Sequence, residues 1–351
     1  MNYALLKVTI GNLGIKDTME NSQSHTIDPS VIKAEALRLG FSACGVADAD
    51  VVDADTRRIY EQYIAEGRMA DMNYLANYPD LRFDPTQLLP GCRTIICVAL
   101  SYYPQRPLPD DTYQIAYYAY GRDYHEVMRQ KLAQFINSLA TSAGITDVST
   151  HFRPCTDTAP MLERYWAVRS GIGFIGRNHT LIIPRLGSYF FLGEVLTTIK
   201  QTFSSGTPLL GEGRQGREPS CASCHRCMGV CPTGALRHDG TFDARRCLSY
   251  LTIEHRGPFT PEQADMVSSQ PTPYYIYGCD RCQQCCPHNH WTVPTTEPLL
   301  QPNSLLYSMT PARWQQLTRE QYQQLFSHSA VKRAKYDGLM RNIECISSQQ
   351  Q

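Results

Sequence analysis

The fourteen cysteines of this chain are grouped in a way that leaves few folds open to its second half. Four stand in the run Cys221-Ala-Ser-Cys224-His-Arg-Cys227-Met-Gly-Val-Cys231-Pro232, spaced C-x2-C-x2-C-x3-C-P. Three closely spaced thiolates can wrap one 4Fe-4S cubane, while the following turn carries the fourth away to ligate a second. That crossing demands a partner run, and Cys279-Asp-Arg-Cys282-Gln-Gln-Cys285-Cys286-Pro287 supplies it. Read as C-x2-C-x3-C-P, the partner run lacks one ligand, for which Cys247 is the candidate. The favoured assignment gives Cys221, Cys224, Cys227 and Cys286 to one cluster. The other cluster takes Cys231, Cys247, Cys279 and Cys282, so that both crossing cysteines precede a proline. Cys279, Cys282 and Cys285 also fit C-x2-C-x2-C, and Cys285 could then replace Cys247. Structural zinc is the bland alternative, because C-x2-C pairs serve zinc modules as well. Cys44, Cys92, Cys97 and Cys345 stand singly and read as small buried hydrophobes.

Disulfides are a poor explanation for so many thiols. Residues 1–27 have no basic start, no long apolar stretch and no small-residue cleavage site, so they read as a disordered extension and not as a secretory signal. No apolar run reaches the ~18–20 residues that span a bilayer. A cytoplasmic location without membrane attachment is the default expectation. The chain carries 33 basic and 33 acidic residues, which argues against a protein that coats nucleic acid nonspecifically.

Ahead of the cysteines the pattern is that of a mixed domain. Asp28-Pro29 can cap and start a helix that closes at Gly40. Phe41 to Val46 reads as a short strand, and the β-branched run Thr94 to Leu100 as a buried central one. Met128, Leu132, Phe135, Ile136 and Leu139 have helical spacing, ending near Gly144. A strand is expected near Val148 to Phe152, a helix over Met161 to Ser170, and a hairpin of Thr180–Ile183 with Ser188–Thr198. The organisation expected is α+β: an α/β domain over 28–200, a linker over 201–220, the ferredoxin-like two-cluster module over 221–295 and a partly basic helical tail over 296–351.

Gly171-Ile-Gly173-Phe-Ile-Gly176 matches the dinucleotide fingerprint G-x-G-x-x-G in the wrong context. A helical segment precedes it and a strand follows, the reverse of what the fingerprint needs. Asp157, in Cys155-Thr-Asp-Thr-Ala-Pro160, reads on its own as a residue of a helix N-cap region.

Five features together resemble the epoxyqueuosine reductase family. They are the D-T-x-P-x-x-E-R segment from Asp157, the G-I-G-F-I-G-R-N segment, Gly121-Arg-Asp-Tyr-His125, the crossing cysteines with a lone cysteine between, and the Lys332-Arg333-Ala-Lys335…Arg341-Asn342 tail. The likeness runs from about residue 28 to 345. It implies reduction of epoxyqueuosine to queuosine at the wobble position of tRNA, the last step of queuosine biosynthesis, using cobalamin and two 4Fe-4S clusters. It also implies a core similar to that of reductive dehalogenases (nitroreductase-like). Carried over, Asp157 would be the proton donor, and it would be protonated in the resting site through burial beside the corrin. Arg82, Ser249, Tyr250 and Asp280, with Asp157, would lie at the cobalamin. Asp123-Tyr-His125-Glu-Val-Met128 stops short of the D-x-H-x-x-G motif, so base-off cobalamin is expected. Lys332, Arg333, Lys335 and Arg341 would meet tRNA phosphates, although a charge run is as often a solvated helix face. An electron donor such as flavodoxin or ferredoxin and a monomeric state complete the expectation. A plain electron-transfer subunit, a reductive dehalogenase and a zinc-stabilised RNA-binding protein are the rivals.

Overall fold

The computed structural model describes residues 26–202 and 220–348, so residues 1–25 of the expected extension over 1–27 and most of the expected linker lie outside the described residues, whereas Thr26–Ile27 forms a short strand paired with Lys200–Gln201. Asp28 caps the first helix by accepting the Ser30 N–H at 2.7 Å, and Pro29–Arg38 follows. The centre is a four-stranded antiparallel sheet in the order Ala43–Asp48, Thr94–Ser101, Phe190–Thr197, Phe152–Cys155. Thr94–Ser101 is buried along its whole length, as its unbroken apolar run requires.

Strand alternation gives the sheet two covered faces. Val46, Ile96, Val98 and Val195 belong to one core, which also takes in Met128, Leu132, Phe135 and Ile136 of the Tyr124–Ser142 helix. Ala47, Ile95, Cys97 and Leu196 belong to the other, beneath Trp166 and Ala167 of the Glu163–Arg169 helix. Every strand pair of this sheet is antiparallel, which makes the domain α+β.

Two local expectations are corrected. Val148–His151 is a helical turn, because Asp147 caps it by accepting the Thr150 N–H, and the strand begins only at Phe152. Leu181–Ile182 pairs with Phe174–Ile175 and not with the strand after Gly187; only an Ile183–Gly187 bridge closes the expected turn. Gly187 has φ +91°, and a Cβ there would stand 2.2 Å from Asn289 Oδ1. The chain is thus pressed against the cysteine module at this point, and Phe190–Thr197 is led into the central sheet.

The C-terminal residues are no loose tail. Trp314, Phe326, Leu339, Ile343 and Ile346 join the first core, and the Lys335–Ser347 helix packs on Leu248–Ile253, Pro261–Ser268 and Tyr275–Tyr277. Asn342, fully buried, donates to the Thr252 and Ile276 carbonyls at 2.9 Å each. Among the described residues no helix is long and apolar enough to cross a membrane.

Candidate functional site: two cysteine quartets and an acid

The favoured ligand sets converge in space. Cys221, Cys224, Cys227 and Cys286 line one cavity of about 140 Å³, together with Arg177, Asn178 and His288. Cys279 and Cys282 are half-buried, and desolvation raises both thiols above the ordinary cysteine range. The cysteines acting on Cys282 are Cys279, Cys247 and Cys231, which is the second set. A buried thiolate is costly without a cation, so this donor set suits iron bound as a cluster. Among the described residues no three His, Cys, Asp or Glu side chains converge tightly enough for a single metal ion.

Cys285 lies with the first set. The thiols acting on it are Cys227, Cys286 and Cys224, and its Sγ is 3.6 Å from the Cys282 carbonyl. It does not stand where Cys247 stands. Cys285→Ala should therefore leave the iron content unchanged, at about eight atoms per chain for two cubanes, as read by iron analysis of the anaerobically purified protein.

The glycine-rich segment that mimics a nucleotide fingerprint holds the two quartets to the sheet domain. Gly171 ends the preceding helix with φ +78°, and a Cβ on Gly173 would meet the Ile182 carbonyl at 2.4 Å. Beyond the turn, the Arg177 N–H points to Cys221 Sγ at 3.4 Å, and Asn178 Nδ2 donates to the Cys282 carbonyl at 3.4 Å. One residue thus touches each quartet.

Asp157 is not a helix cap. The helix begins at Glu163, while Asp157 adopts φ +51°, a conformation that Asp tolerates better than most residues. Its half-exposed carboxylate accepts from the Tyr124 hydroxyl and lies 3.2 Å from His125 Nε2. Tyr124 is held by stacking between His125 and Phe191, with centroids 4.1 and 4.3 Å away. His125 Nδ1 lies 2.7 Å from Asp123, whose other oxygen pairs with Lys332 Nζ at 2.7 Å.

In the free site these donors favour the charged carboxylate. The His125 hydrogen bond, ahead of the opposing burial and then the Tyr124 bond, holds Asp157 below the usual carboxylate range. His125 is raised to about 9, first by Asp123 and then by Asp157. The transferable proton of the free site therefore sits on the imidazolium. Because the folded value exceeds the ordinary one of 6.5, the charged pair stabilises the fold fully below about pH 6.5 and fades as pH rises through about 9. His125→Gln should flatten that limb of a pH–stability curve followed by thermal unfolding.

The other expected site residues separate into groups. Arg82 is buried over the Tyr60 ring, with its Nε unpartnered and its Nη2 3.4 and 3.3 Å from the Tyr74 and Asn77 carbonyls. Ser249 and Tyr250 follow Cys247, and the Tyr250 hydroxyl donates to Asp71 at 2.6 Å. Asp280 turns elsewhere. Its buried carboxyl accepts the Tyr117 N–H at 2.7 Å, and burial raises it to about 7. It thereby braces the module against the sheet domain.

The basic tail is also divided. Arg333 pairs with Glu254 through three contacts of 2.8–3.1 Å. Arg341 lies 4.1 Å over the Phe259 ring and donates to the Leu251, His255 and Gly257 carbonyls. Lys335 is exposed. Arg341→Ala should cost on the order of 2 kcal/mol in a denaturant titration, because it unpairs the part-buried Leu251 and His255 carbonyls. Tyr124, His125 and Glu163 were visible in sequence only as letters of shared motifs.

An α+β chain with two crossed cysteine quartets beside a charged acid site is a two-cluster iron–sulfur oxidoreductase. Comparison with known proteins bears this out in detail. Residues 82–158 match the family described as Epoxyqueuosine reductase QueG, DUF1730, and residues 220–289 match the 4Fe-4S double cluster binding domain. The epoxyqueuosine reductase of Cellulophaga algicola is 34% identical over 328 residues, covering 93% of this chain and 100% of that one. The structure of epoxyqueuosine reductase from Streptococcus thermophilus superposes with TM-score 0.75 at 27% identity, covering 92% of this chain and 81% of that one. An epoxyqueuosine reductase solved with an epoxyqueuosine-modified tRNA-Tyr stem loop gives TM-score 0.75 at 25% identity, covering 90% and 80%. The chain belongs to the epoxyqueuosine reductase family.

Proposed function

We propose that this protein reduces epoxyqueuosine to queuosine at the wobble position of tRNA, with cobalamin and two 4Fe-4S clusters. The observation that carries the reading is the joining of Asp157 and its proton-bearing His125 to both cysteine quartets. The connection runs through one continuous segment, from Glu163 to Asn178. Opening an epoxide creates an alkoxide, a strong base that needs a nearby acid. Asp157 is half exposed and so can reach a bound nucleoside, and it draws the proton from His125 while Tyr124 fixes its orientation.

Cobalamin is supported by the donor set. Arg82 has a buried N–H without a partner, and Ser249 and Tyr250 stand next to the cluster ligand Cys247. Arg82 and Ser249 would hold the amide rim of a corrin, with Tyr250 fixed beside them by Asp71, and the bound corrin would supply a strongly reducing centre. Both nitrogens of His125 face carboxylates, so this residue is set to hold a proton and would leave the cofactor to the residues around Arg82 and Ser249. Electrons would come from a reduced flavodoxin or ferredoxin.

The deciding experiment is nucleoside mass spectrometry of tRNA from a host lacking its own reductase and supplied with cobalamin. Conversion of epoxyqueuosine to queuosine on expressing this chain establishes the function. Persistent epoxyqueuosine, with clusters and cobalamin bound, overturns it. If Lys335 meets a phosphate, Lys335→Gln should weaken RNA binding and lower the slope of log affinity against log salt by about one.

A further inference from the structure

Acidic and basic residues balance over the whole chain, at 33 each, but not around the first quartet. Segments 171–188, 220–238 and 281–296 contain no Asp, Glu or Lys, and their permanent cations are Arg177, Arg185, Arg226, Arg237 and Arg281. Arg177 comes from the first segment, Arg226 from the second and His288 from the third, and all three line the cavity of the first quartet. Arg237 pairs with Asp243, and Arg281 donates to the Pro271 and Pro273 carbonyls. Arg177, Arg185 and Arg226 are exposed, and among the described residues none of them has a carboxylate at ion-pair distance.

The same segments hold large apolar side chains in water. Ile175, Val230, Trp291 and Val293 are 48, 39, 62 and 64% exposed. They stand two residues before Arg177, three after Cys227, and three and five after His288. The other two tryptophans, Trp166 and Trp314, are buried in the two cores. Apolar groups gathered within a polar rim mark a surface that another molecule covers. Trp and Arg are enriched, and Lys depleted, where proteins bind one another.

The first quartet is also the one that meets solvent. Cys221 and Cys224 are flanked by the exposed Ser220, Ala222, Ser223 and His225, and Cys286 is followed by the exposed Pro287. In the second quartet Cys247, Cys279 and Cys282 have buried or half-buried neighbours, and only Cys231 has exposed ones. Ser249 and Tyr250 follow Cys247, and neither they nor Asp157 line the cavity of the first quartet.

We propose that this acid-free face, with Trp291 and Arg226 on it, is the docking surface for an acidic electron-carrier protein. The need for an electron supply follows from the function proposed above, on which this docking surface rests. The carrier gives up one electron per encounter, being oxidised as the first cluster is reduced, and two encounters supply the two electrons of one turnover. Unpaired arginines steer the acidic partner, and the apolar side chains hold it for the transfer. Substrate RNA keeps the other side, beside Asp157 and Cys247.

The test is anaerobic stopped-flow reduction of the full, cofactor-loaded enzyme by reduced flavodoxin, without tRNA. The wild-type second-order rate constant should fall as salt is added. Arg185→Glu combined with Arg226→Glu should lower it about a hundred-fold at low salt and remove that salt dependence. Trp291→Ala should lower it about ten-fold at every salt concentration. Iron content and the extent of reduction by excess dithionite should stay at wild-type values. Chemical shifts of isotope-labelled oxidised flavodoxin should move on adding wild type and not on adding the double variant. Unchanged kinetics and shifts in the double variant, or a wild type reduced by neither flavodoxin nor a plant-type ferredoxin, overturn the proposal. Should the double variant lose its iron, Trp291→Ala with a normal rate overturns it equally. Weakened binding of a tRNA stem loop with unchanged carrier kinetics assigns the face to nucleic acid and also overturns it. Fast, salt-sensitive reduction of a protein that leaves epoxyqueuosine unconverted supports the docking surface and removes only the proposed function.

Discussion

Asp157→Asn should reduce turnover about a thousand-fold or more, within the range that loss of a positioned acid produces, while iron content and RNA binding stay at wild-type levels. The asparagine amide keeps the size of the side chain but neither carries nor relays a proton. It also removes one of the two carboxylates that raise His125, leaving Asp123 as its partner. The imidazolium should thus titrate at lower pH in the variant, which proton NMR of the His125 ring can follow. A variant with full activity would take Asp157 out of the chemistry. It would leave Tyr124 and His125 as the remaining donors at that position.

Cys279→Ala should have an effect as large by another route. Its thiol belongs to the second quartet, where iron would offset the desolvation that raises the Cys279 and Cys282 thiols. Loss of the ligand should bring iron from about eight towards four atoms per chain, remove half of the cluster absorbance and abolish turnover. The Cys285→Ala control lies three residues beyond Cys282 and should show none of this. Equal damage from both substitutions would mean that the module tolerates no change at this turn, and the ligand assignment would then lose its support.

What could be read from sequence follows from the range of the forces involved. The cysteine runs were legible because a cubane fixes the spacing of its ligands within a dozen residues. The Tyr124–Ser142 helix and the Thr94–Ser101 strand were legible because burial imprints a period on local sequence. The partner of Phe190–Thr197 was not, since it pairs with strands nearly a hundred residues earlier and about forty residues earlier. The partners of Asp157 in the free site were hidden for a related reason, since they are two donors from the start of another helix. The structural task of Arg341 was not legible, because its carbonyl partners lie more than eighty residues away in sequence.

The exchange of cysteines between the two runs has a consequence beyond electron flow. Cys286 closes on Cys227 from roughly sixty residues away, and Cys231 closes on Cys279 from nearly fifty. Each cubane is thus a cross-link that shuts a long loop, and the entropy of those closures must otherwise be met by the chain alone. Neither loop can be opened by releasing one cluster without loosening the segment that anchors the other. Iron supply then sets the amount of intact protein as well as its activity. A cell short of iron would lose this enzyme by unfolding and proteolysis, in one step, and not by gradual slowing.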